Sequence, residues 1–268
     1  MVASVYDSAR LAAGYAFDRP PVHERILRTA GIGRRARRAL DIGCGAGVST
    51  AALVPLAERV VGVEPEPAML AHRQSVAPRA EFVIGLAERL PFAADSFELV
   101  TAAGSLNYTH LPSALAGIAR VLEPGGTFLL YDFSDGRTSA VGDEAAGDGA
   151  AGSGAAGDAL AEWFGAFERR YPWPPGWRPL DPRALPLGEH GLRLVGYEDI
   201  HTNLPMSLDA YLRYVLSEVN VDSSVVSGLS TEDEVRDWCR ATLAPVFARG
   251  EVTVVIPGYL AVIAGTAA

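Results

Sequence analysis

Three glycines at alternate positions, Gly43, Gly45 and Gly47, follow directly after the largely apolar run 39–42. The run suits a buried parallel strand, and the small residues of 48–53 suit the first turns of a helix. A glycine turn between a strand and a helix lets a ligand approach the backbone closely, and the helix N-terminus directs N–H groups at it. This order predicts a ligand cradle in an α/β fold.

The glycine spacing limits which ligand the cradle can take. A dinucleotide-binding fingerprint needs Gly-x-Gly-x-x-Gly after the strand. The third glycine is missing in both possible frames, because Val48 stands there when counting from Gly43 and Thr50 when counting from Gly45. Asp41, two places before the first glycine, is also foreign to that fingerprint. The spacing therefore disfavours a nicotinamide-dependent enzyme.

Residues 41–47 read Asp-x-Gly-x-Gly-x-Gly, which resembles motif I of the class I S-adenosylmethionine-dependent methyltransferases. Residues 38–134 are similar to the catalytic core of that family, in the branch that includes quinone-biosynthesis C-methyltransferases and many small-molecule enzymes. The resemblance implies S-adenosylmethionine as the cofactor. It also implies that Glu64, which ends the valine-rich segment 60–64, accepts hydrogen bonds from both ribose hydroxyls.

Residues 85–92 resemble the family's loop after the third strand. The position before Ala87 is often Asp in the family, but it holds Leu86 here. We therefore expect the Ala87 backbone N–H to reach the adenine, with Leu86 giving apolar contact. The residues that the resemblance implies for cofactor binding are Asp41, Gly43, Cys44, Gly45, Gly47, Glu64, Pro65, Met69, Leu86, Ala87, Glu88, Gly104 and Ser105.

The acceptor side of the site is less well defined by the sequence. The stretch Gly-Ser-Leu-Asn-Tyr at 104–108 follows a predicted strand, and ligands of open α/β sheets bind outside such strand ends. A base is needed only if the acceptor still carries its proton. The candidate bases are His110, His201, His23 and Tyr108. The candidate acceptor contacts are Tyr6, Tyr15, Asn107, Trp173 and Tyr211.

Charge and missing motifs narrow the class of acceptor. The net charge of −9 disfavours a nucleic-acid partner. No group of residues has metal-ligand spacing, and the Asn-Pro-Pro-Tyr signature of amino-group DNA and protein methyltransferases is missing. The leading hypothesis is methyl transfer by in-line displacement to a small-molecule acceptor of secondary metabolism. The alternative is an S-adenosylmethionine-binding fold used for a cyclisation or rearrangement, since motif I reports cofactor binding alone.

The alternation of strands and helices predicts a Rossmann-like α/β fold. We expect a seven-stranded, mostly parallel sheet with helices on both faces and a small lid or insert. We also expect one domain over 1–268, with the core at 38–134, a flexible Ala/Gly-rich segment at 139–158, and the lid and C-terminal strands at 159–268.

Hydrophobic periodicity and breakers give the predicted elements. Helices are expected over 21–31, 47–58, 69–75, 112–122, 159–170, 208–219 and 231–247. Strands are expected over 38–42, 60–64, 81–84, 97–103, 127–133 and 192–200, with 252–264 as a hairpin or one broken strand.

The chain shows no sign of export or membrane insertion. Its two cysteines, Cys44 and Cys239, form no disulfide framework, and residues 1–10 carry no apolar signal core. The longest apolar stretch, 252–264, is broken by Pro257 and Gly258 and is too short to span a bilayer. We therefore expect a cytoplasmic protein with no membrane partner.

Overall fold

The computed structural model describes residues 6–139, 155–174 and 180–266, with no side-chain description for 155–158. Its helices are α1 (Ala9–Phe17), α2 (Val22–Thr29), α3 (Val48–Leu53), α4 (Arg73–Val76), α5 (Leu111–Val121), α6 (Ala155–Arg170), α7 (Leu208–Leu216), α8 (Val219–Val226) and α9 (Glu232–Leu243). Its strands are β1 (Ala36–Ile42), β2 (Ala57–Glu64), β3 (Glu81–Ile84), β4 (Phe97–Ala103), β5 (Leu122–Phe133), β6 (Thr138–Ser139), β7 (Leu192–Met206) and β8 (Val252–Gly265).

The strands form one mostly parallel sheet in the order β3-β2-β1-β4-β5-β8-β6, with β7 pairing to β8. The pairs β1–β2, β1–β4, β2–β3 and β4–β5 are parallel, and β6 runs antiparallel to β8. The predicted α/β fold class is thus confirmed. Among the described residues the sheet has eight strands instead of seven, because the two-residue β6 is too short to leave a pattern in the sequence.

Continuous apolar runs explain the parallel part of the sheet. One hydrophobic core contains buried residues from four of the parallel strands, namely Leu40, Ile42, Val63, Val100 and Leu130. Strands of a parallel sheet are covered on both faces, so they carry uninterrupted apolar residues where a half-exposed strand would alternate. The same runs bring the ends of these strands to one edge of the sheet.

The chain divides into two compact units. One consists of Pro21–Asp132, Gly176–Ile200 and Tyr259–Ala268 and holds β1 to β4. The other consists of Met1–Pro20, Phe133–Pro175 and His201–Gly258 and is largely helical. The organisation of 1–268 as one methyltransferase domain with a lid stays a prediction. Across the described residues, no helix is long and apolar enough to cross a membrane.

The helical unit is packed around aromatic rings. Trp163 stacks on Phe167 with ring centroids 5.2 Å apart, and it meets Trp238 at 6.0 Å and Tyr211 at 6.0 Å. The Trp163 indole N–H donates to the hydroxyl of Thr242 at 2.8 Å, so its polar atom is satisfied inside the cluster.

Several predicted elements differ from the observed ones in their limits. The helix expected over 47–58 ends at Leu53, because β2 already begins at Ala57, and the strand expected over 192–200 continues to Met206. The helix expected over 231–247 ends at Leu243. The helix expected over 208–219 ends at Leu216, and α8 begins at Val219. The chain breaks because Glu218 takes an extended backbone (ψ 147°) and its buried carboxylate pairs with Arg19. The segment 252–264 forms the single strand β8 although it contains Pro257, whose carbonyl accepts the Ser134 N–H at 2.8 Å.

The predicted flexible segment 139–158 lies largely outside the described residues, since 140–154 are not described. Its first residue belongs to β6, and its last four belong to α6. Residues 171–182 are rich in Trp and Pro and include the predicted acceptor contact Trp173. Within them, 175–179 lie outside the described ranges.

Candidate active site

The ends of four adjacent parallel strands place the predicted cofactor residues along one edge of the sheet. Gly43 follows β1, Glu64 ends β2 and Gly104 follows β4. Asp132, which was not among the predicted residues, is the penultimate residue of β5 at the same edge. The carboxyl ends of parallel strands point the same way, and ligands of open α/β sheets bind outside them. The structure therefore brings together the groups that the sequence placed in separate motifs.

The glycine loop needs its glycines for two separate reasons. Gly43, Gly45 and Gly47 have φ of 66°, 52° and 94°, which is the left-handed region that side chains disfavour. A Cβ on Gly43 would also lie 2.3 Å from the Cβ of Ser105, and one on Gly47 would lie 3.2 Å from the Phe82 ring. The loop thus passes so close to its neighbours that no side chain fits at Gly43 or Gly47 without a shift.

Asp41 holds the loop against the two elements beside it. Its buried carboxylate accepts hydrogen bonds from Ser49 at 2.6 Å and Thr50 at 2.7 Å on α3, and from Thr101 at 2.9 Å on β4. Burial raises the pKa of Asp41, and these three hydroxyl donors oppose that rise. The observed partners are all protein groups, so the cofactor contact expected of Asp41 stays a prediction.

Glu64 is fixed by backbone donors on either side of it. One carboxylate oxygen accepts the Gly45 N–H at 2.9 Å, and the other accepts the Glu66 N–H at 3.0 Å. The residue is 7% exposed, and burial raises its pKa while the two N–H bonds lower it. A carboxylate has about four acceptor positions, so two remain for hydroxyl groups of a ligand.

Three further predicted cofactor residues surround this loop. Cys44 is buried, and burial raises the pKa of its thiol well above the usual value, which keeps it protonated. The Met69 methyl group would lie 3.4 Å from a Cβ on Gly45. Pro65, directly after Glu64, is exposed.

The loop after β3 presents an apolar surface beside these groups. Leu86 is 47% exposed, and Ala87 is nearly buried at the start of a short 3-10 turn, Ala87–Arg89. The Glu88 carboxylate accepts the backbone N–H of His110 at 2.9 Å, which ties this loop to the start of α5. That bond gives Glu88 a structural partner, and its cofactor role stays a prediction.

The loop after β4 carries the remaining predicted residues of this unit. The Ser105 hydroxyl donates to the Ile42 carbonyl at 2.6 Å, beneath the glycine loop. The Asn107 side-chain amide donates to Asp132 at 2.9 Å. Tyr108 is 49% exposed, and the His110 ring nitrogen Nδ1 lies 2.9 Å from the Ser113 hydroxyl. The base roles proposed for Tyr108 and His110 are untested by this geometry.

The other unit holds the remaining candidates. The Tyr6 and Tyr15 rings meet edge to face at 6.2 Å, and the Trp173 indole N–H donates to Glu168 at 2.7 Å. Tyr211 is fully buried, and its hydroxyl donates to the Gly136 carbonyl at 2.7 Å. His201 is exposed on β7. Their acceptor and base roles stay predictions.

Sequence reasoning missed Asp132 and Thr101. Asp132 could have been found by the rule that selected Glu64, because it also ends an apolar strand at the same edge. Thr101 left no such signal, since its contact with Asp41 depends on the pairing of β1 with β4, where the two residues are register partners.

Sequence reasoning also missed a buried chain of charges in the helical unit. Arg19 binds Glu218 through two nitrogens at 2.7 and 3.0 Å, and Asp135 lies within hydrogen-bond reach of Glu218. Burial raises the pKa of Glu218 to about 8, although Arg19 lowers it, and Asp135 adds to the rise. The Glu218 carboxyl group therefore changes its protonation close to neutral pH.

Comparison with known proteins identifies the core. A family model described as a methyltransferase domain matches residues 40–130. An uncharacterized methyltransferase of Synechocystis sp. is 38% identical over 99 residues, covering 36% of this chain and 47% of the relative. A demethylmenaquinone methyltransferase of Chlorobaculum parvum is 36% identical over 96 residues, covering 35% of this chain and 40% of the relative. This chain thus spans less than half the length of these two relatives.

One comparison extends beyond the core. The uncharacterized methyltransferase YcgJ of Bacillus subtilis is 27% identical over 220 residues, which is 78% of each chain. Its crystal structure superimposes with a TM-score of 0.53 at 24% identity, covering 92% of this chain and all of that one. The structural likeness is one of fold.

Proposed function

The chain contains a methyltransferase domain of the S-adenosylmethionine-dependent family, as motif I predicted, and on that premise we propose that it methylates a small-molecule acceptor. The cofactor supplies a methyl group already activated by a sulfonium centre. The protein's task is therefore to bind, orient and exclude water, and the transfer is an in-line displacement. The acceptor proposed is a product of secondary metabolism.

The geometry of Glu64 carries the proposal. Its two oxygens are pinned by the N–H groups of Gly45 and Glu66, so the carboxylate is preorganised next to the glycine loop. Two acceptor positions are left on it, which is the number that the two hydroxyls of a ribose require. A structural ion pair at this site would need a basic partner, and both of its observed contacts are backbone N–H groups.

The surrounding residues fit the rest of such a cofactor. Gly43, Gly45 and Gly47 leave the loop free of side chains where a nucleoside would approach. Leu86 offers an exposed apolar surface for a purine, and the Ala87 N–H is the proposed polar contact. The buried carboxylates of Asp41 and Glu64 give this edge a negative field that favours a cationic sulfonium group.

A small-molecule acceptor is supported by the charge of the chain. The net charge of −9 opposes the approach of a phosphate backbone. The loop at 104–108 offers the Asn107 amide and the Tyr108 phenol, which suit a compact polar acceptor.

Two measurements test the proposal. Calorimetric titration with S-adenosylmethionine and with NAD should show binding of the first alone, and binding of NAD in its place would contradict the proposal. Incubation with panels of small-molecule acceptors should release S-adenosylhomocysteine together with a methylated product. The protein could instead bind S-adenosylmethionine tightly and convert an added substrate without consuming the cofactor. That result would support a cyclisation or rearrangement.

A further inference from the structure

Asn107 and Asp132 form a polar pair at the ends of neighbouring strands. The Asn107 side-chain Nδ2 donates to Asp132 Oδ2 at 2.9 Å, across from β4 to β5. A carboxylate only accepts hydrogen bonds, so this contact fixes which end of the amide is nitrogen and which is oxygen. The amide oxygen of Asn107 therefore points away from Asp132.

That amide oxygen is buried without use. Asn107 Oδ1 is shielded from solvent and has no hydrogen-bond partner within the described part of the chain. A buried acceptor left in this state destabilises the fold, because it has lost its hydrogen bonds to water and gained none in return. No contact in the described part of the fold compensates for this unpaired oxygen. A ligand that donates an N–H or O–H group to it would supply the missing hydrogen bond.

The backbone is shaped to hold Asp132 in the pair. Gly104 has φ of 62°, and a Cβ there would lie 2.7 Å from Asp132 Oδ1. The carboxylate therefore packs directly on the glycine backbone at the end of β4, where no side chain fits. The phenol of Tyr259, on β8, interacts with the same carboxylate. Burial raises the pKa of Tyr259, and the negative charge of Asp132 adds to that rise.

The pair stands next to the glycine loop, on the side away from Glu64. Ser105, two residues before Asn107, donates to the Ile42 carbonyl at 2.6 Å and packs under Gly43. Along the edge the strand order is β2, β1, β4, β5, so Glu64 and Asp132 are separated by about 14 Å, or three strand spacings. With the ribose held by Glu64 on β2, the pair lies at the β4–β5 end of the site, past the position of the ribose.

We propose that Asn107 and Asp132 bind the methyl acceptor, and that the acceptor is a molecule with an N–H or O–H group at or beside the atom that is methylated. This inference rests on the proposed function. Asn107 Oδ1 accepts the hydrogen bond from that group, and Asp132 orients the amide and supplies negative charge beside it. An acceptor that offers only ring carbon and carbonyl groups would leave Asn107 Oδ1 unpaired.

The test uses matched small probes on the protein saturated with S-adenosylhomocysteine. Each pair differs by the donor alone: phenol and anisole, aniline and N,N-dimethylaniline, benzyl alcohol and its methyl ether. Binding is followed by NMR line broadening of the probe. We expect each donor-bearing probe to bind about tenfold more tightly than its methylated counterpart.

Variants assign that preference to the pair. Asn107→Leu keeps the branched shape of the side chain without its polar atoms, and Asn107→Ser shortens the side chain. Both should abolish the preference, and Asp132→Asn should weaken it. Asn203→Leu, the same substitution at a partly buried position on β7, is the control and should leave it unchanged. Thermal melts show which variants remain folded.

Three outcomes would overturn the inference. Equal binding within every probe pair, or no binding of any donor-bearing probe, would show that Asn107 Oδ1 recognises no donor. A loss of S-adenosylhomocysteine affinity in Asn107→Leu of tenfold or more would assign the pair to the cofactor. Failure of the unmodified protein to bind S-adenosylhomocysteine would instead refute the proposed function, so the two failures are distinguishable.

Discussion

Replacing Glu64 by glutamine changes one atom of the side chain and removes the charge from the proposed ribose site. In the structure the two carboxylate oxygens accept N–H groups at 2.9 and 3.0 Å. A glutamine oxygen can keep one of these bonds, while its NH2 group would face the other N–H. The protein should therefore lose about 1–3 kcal/mol of stability, which is the cost of one unsatisfied buried donor.

The binding loss is a separate quantity. Hydrogen bonds to a charged acceptor contribute about 1 kcal/mol more than those to a neutral one, and two ribose hydroxyls are involved. The expected loss is about 2 kcal/mol, or roughly 30-fold in the dissociation constant. Because burial raises the pKa of Glu64, the unmodified protein should also bind the cofactor more weakly as pH falls through that pKa.

The assay is calorimetric titration of both proteins with S-adenosylhomocysteine, with urea denaturation to confirm folding. Glu81→Gln is the matched control, since Glu81 lies on the neighbouring strand β3, is exposed, and contacts Arg59 at 2.8 Å. The control should bind as the unmodified protein does. A folded Glu64→Gln variant with affinity within threefold of the unmodified protein would refute the ribose assignment.

Three other substitutions test the account elsewhere. Gly43→Ala places a Cβ 2.3 Å from the Cβ of Ser105, at a residue with left-handed backbone, so urea denaturation should show more than about 2 kcal/mol of destabilisation. Adding Ser105→Gly should recover part of that loss, and a single variant as stable as the unmodified protein would contradict the close packing. Because burial raises the folded-state pKa of Glu218 from 4.5 to about 8, the free energy of unfolding should fall as pH rises between those values. Glu218→Gln should flatten that slope in urea melts, and an unchanged slope would contradict the effect of burial on this carboxyl group. Thr231→Ala removes the N-cap of α9 and should lower the free energy of unfolding by about 1 kcal/mol in the same urea measurement. An unchanged free energy of unfolding would show that the capping hydrogen bonds do not stabilise this helix end.

Much of the core could be predicted because its signals are local. The strands at 81–84 and 97–103 have the predicted limits, since turn residues stop each apolar run. The spacing of the glycines predicts the loop, and the family resemblance implies Glu64; the structure brings the two into contact through the Gly45 N–H. Here local sequence and tertiary structure agree.

The features that escaped prediction depend on distant partners. Helix α1 contains Gly14, which weakens a helical pattern, yet a Cβ there would lie 2.8 Å from Ser217. The break between α7 and α8 follows from the pairing of Glu218 with Arg19, 199 residues away. Such long-range contacts leave no periodicity to detect.

The most direct test of the central claim uses S-adenosylmethionine with a trideuterated methyl group. The protein is incubated with this cofactor and a fractionated extract of small metabolites, and products are followed by mass spectrometry. A small molecule should gain one deuterated methyl group, in an amount equal to the S-adenosylhomocysteine released. Label found only in protein or nucleic acid, or cofactor that binds and is never consumed, would contradict it.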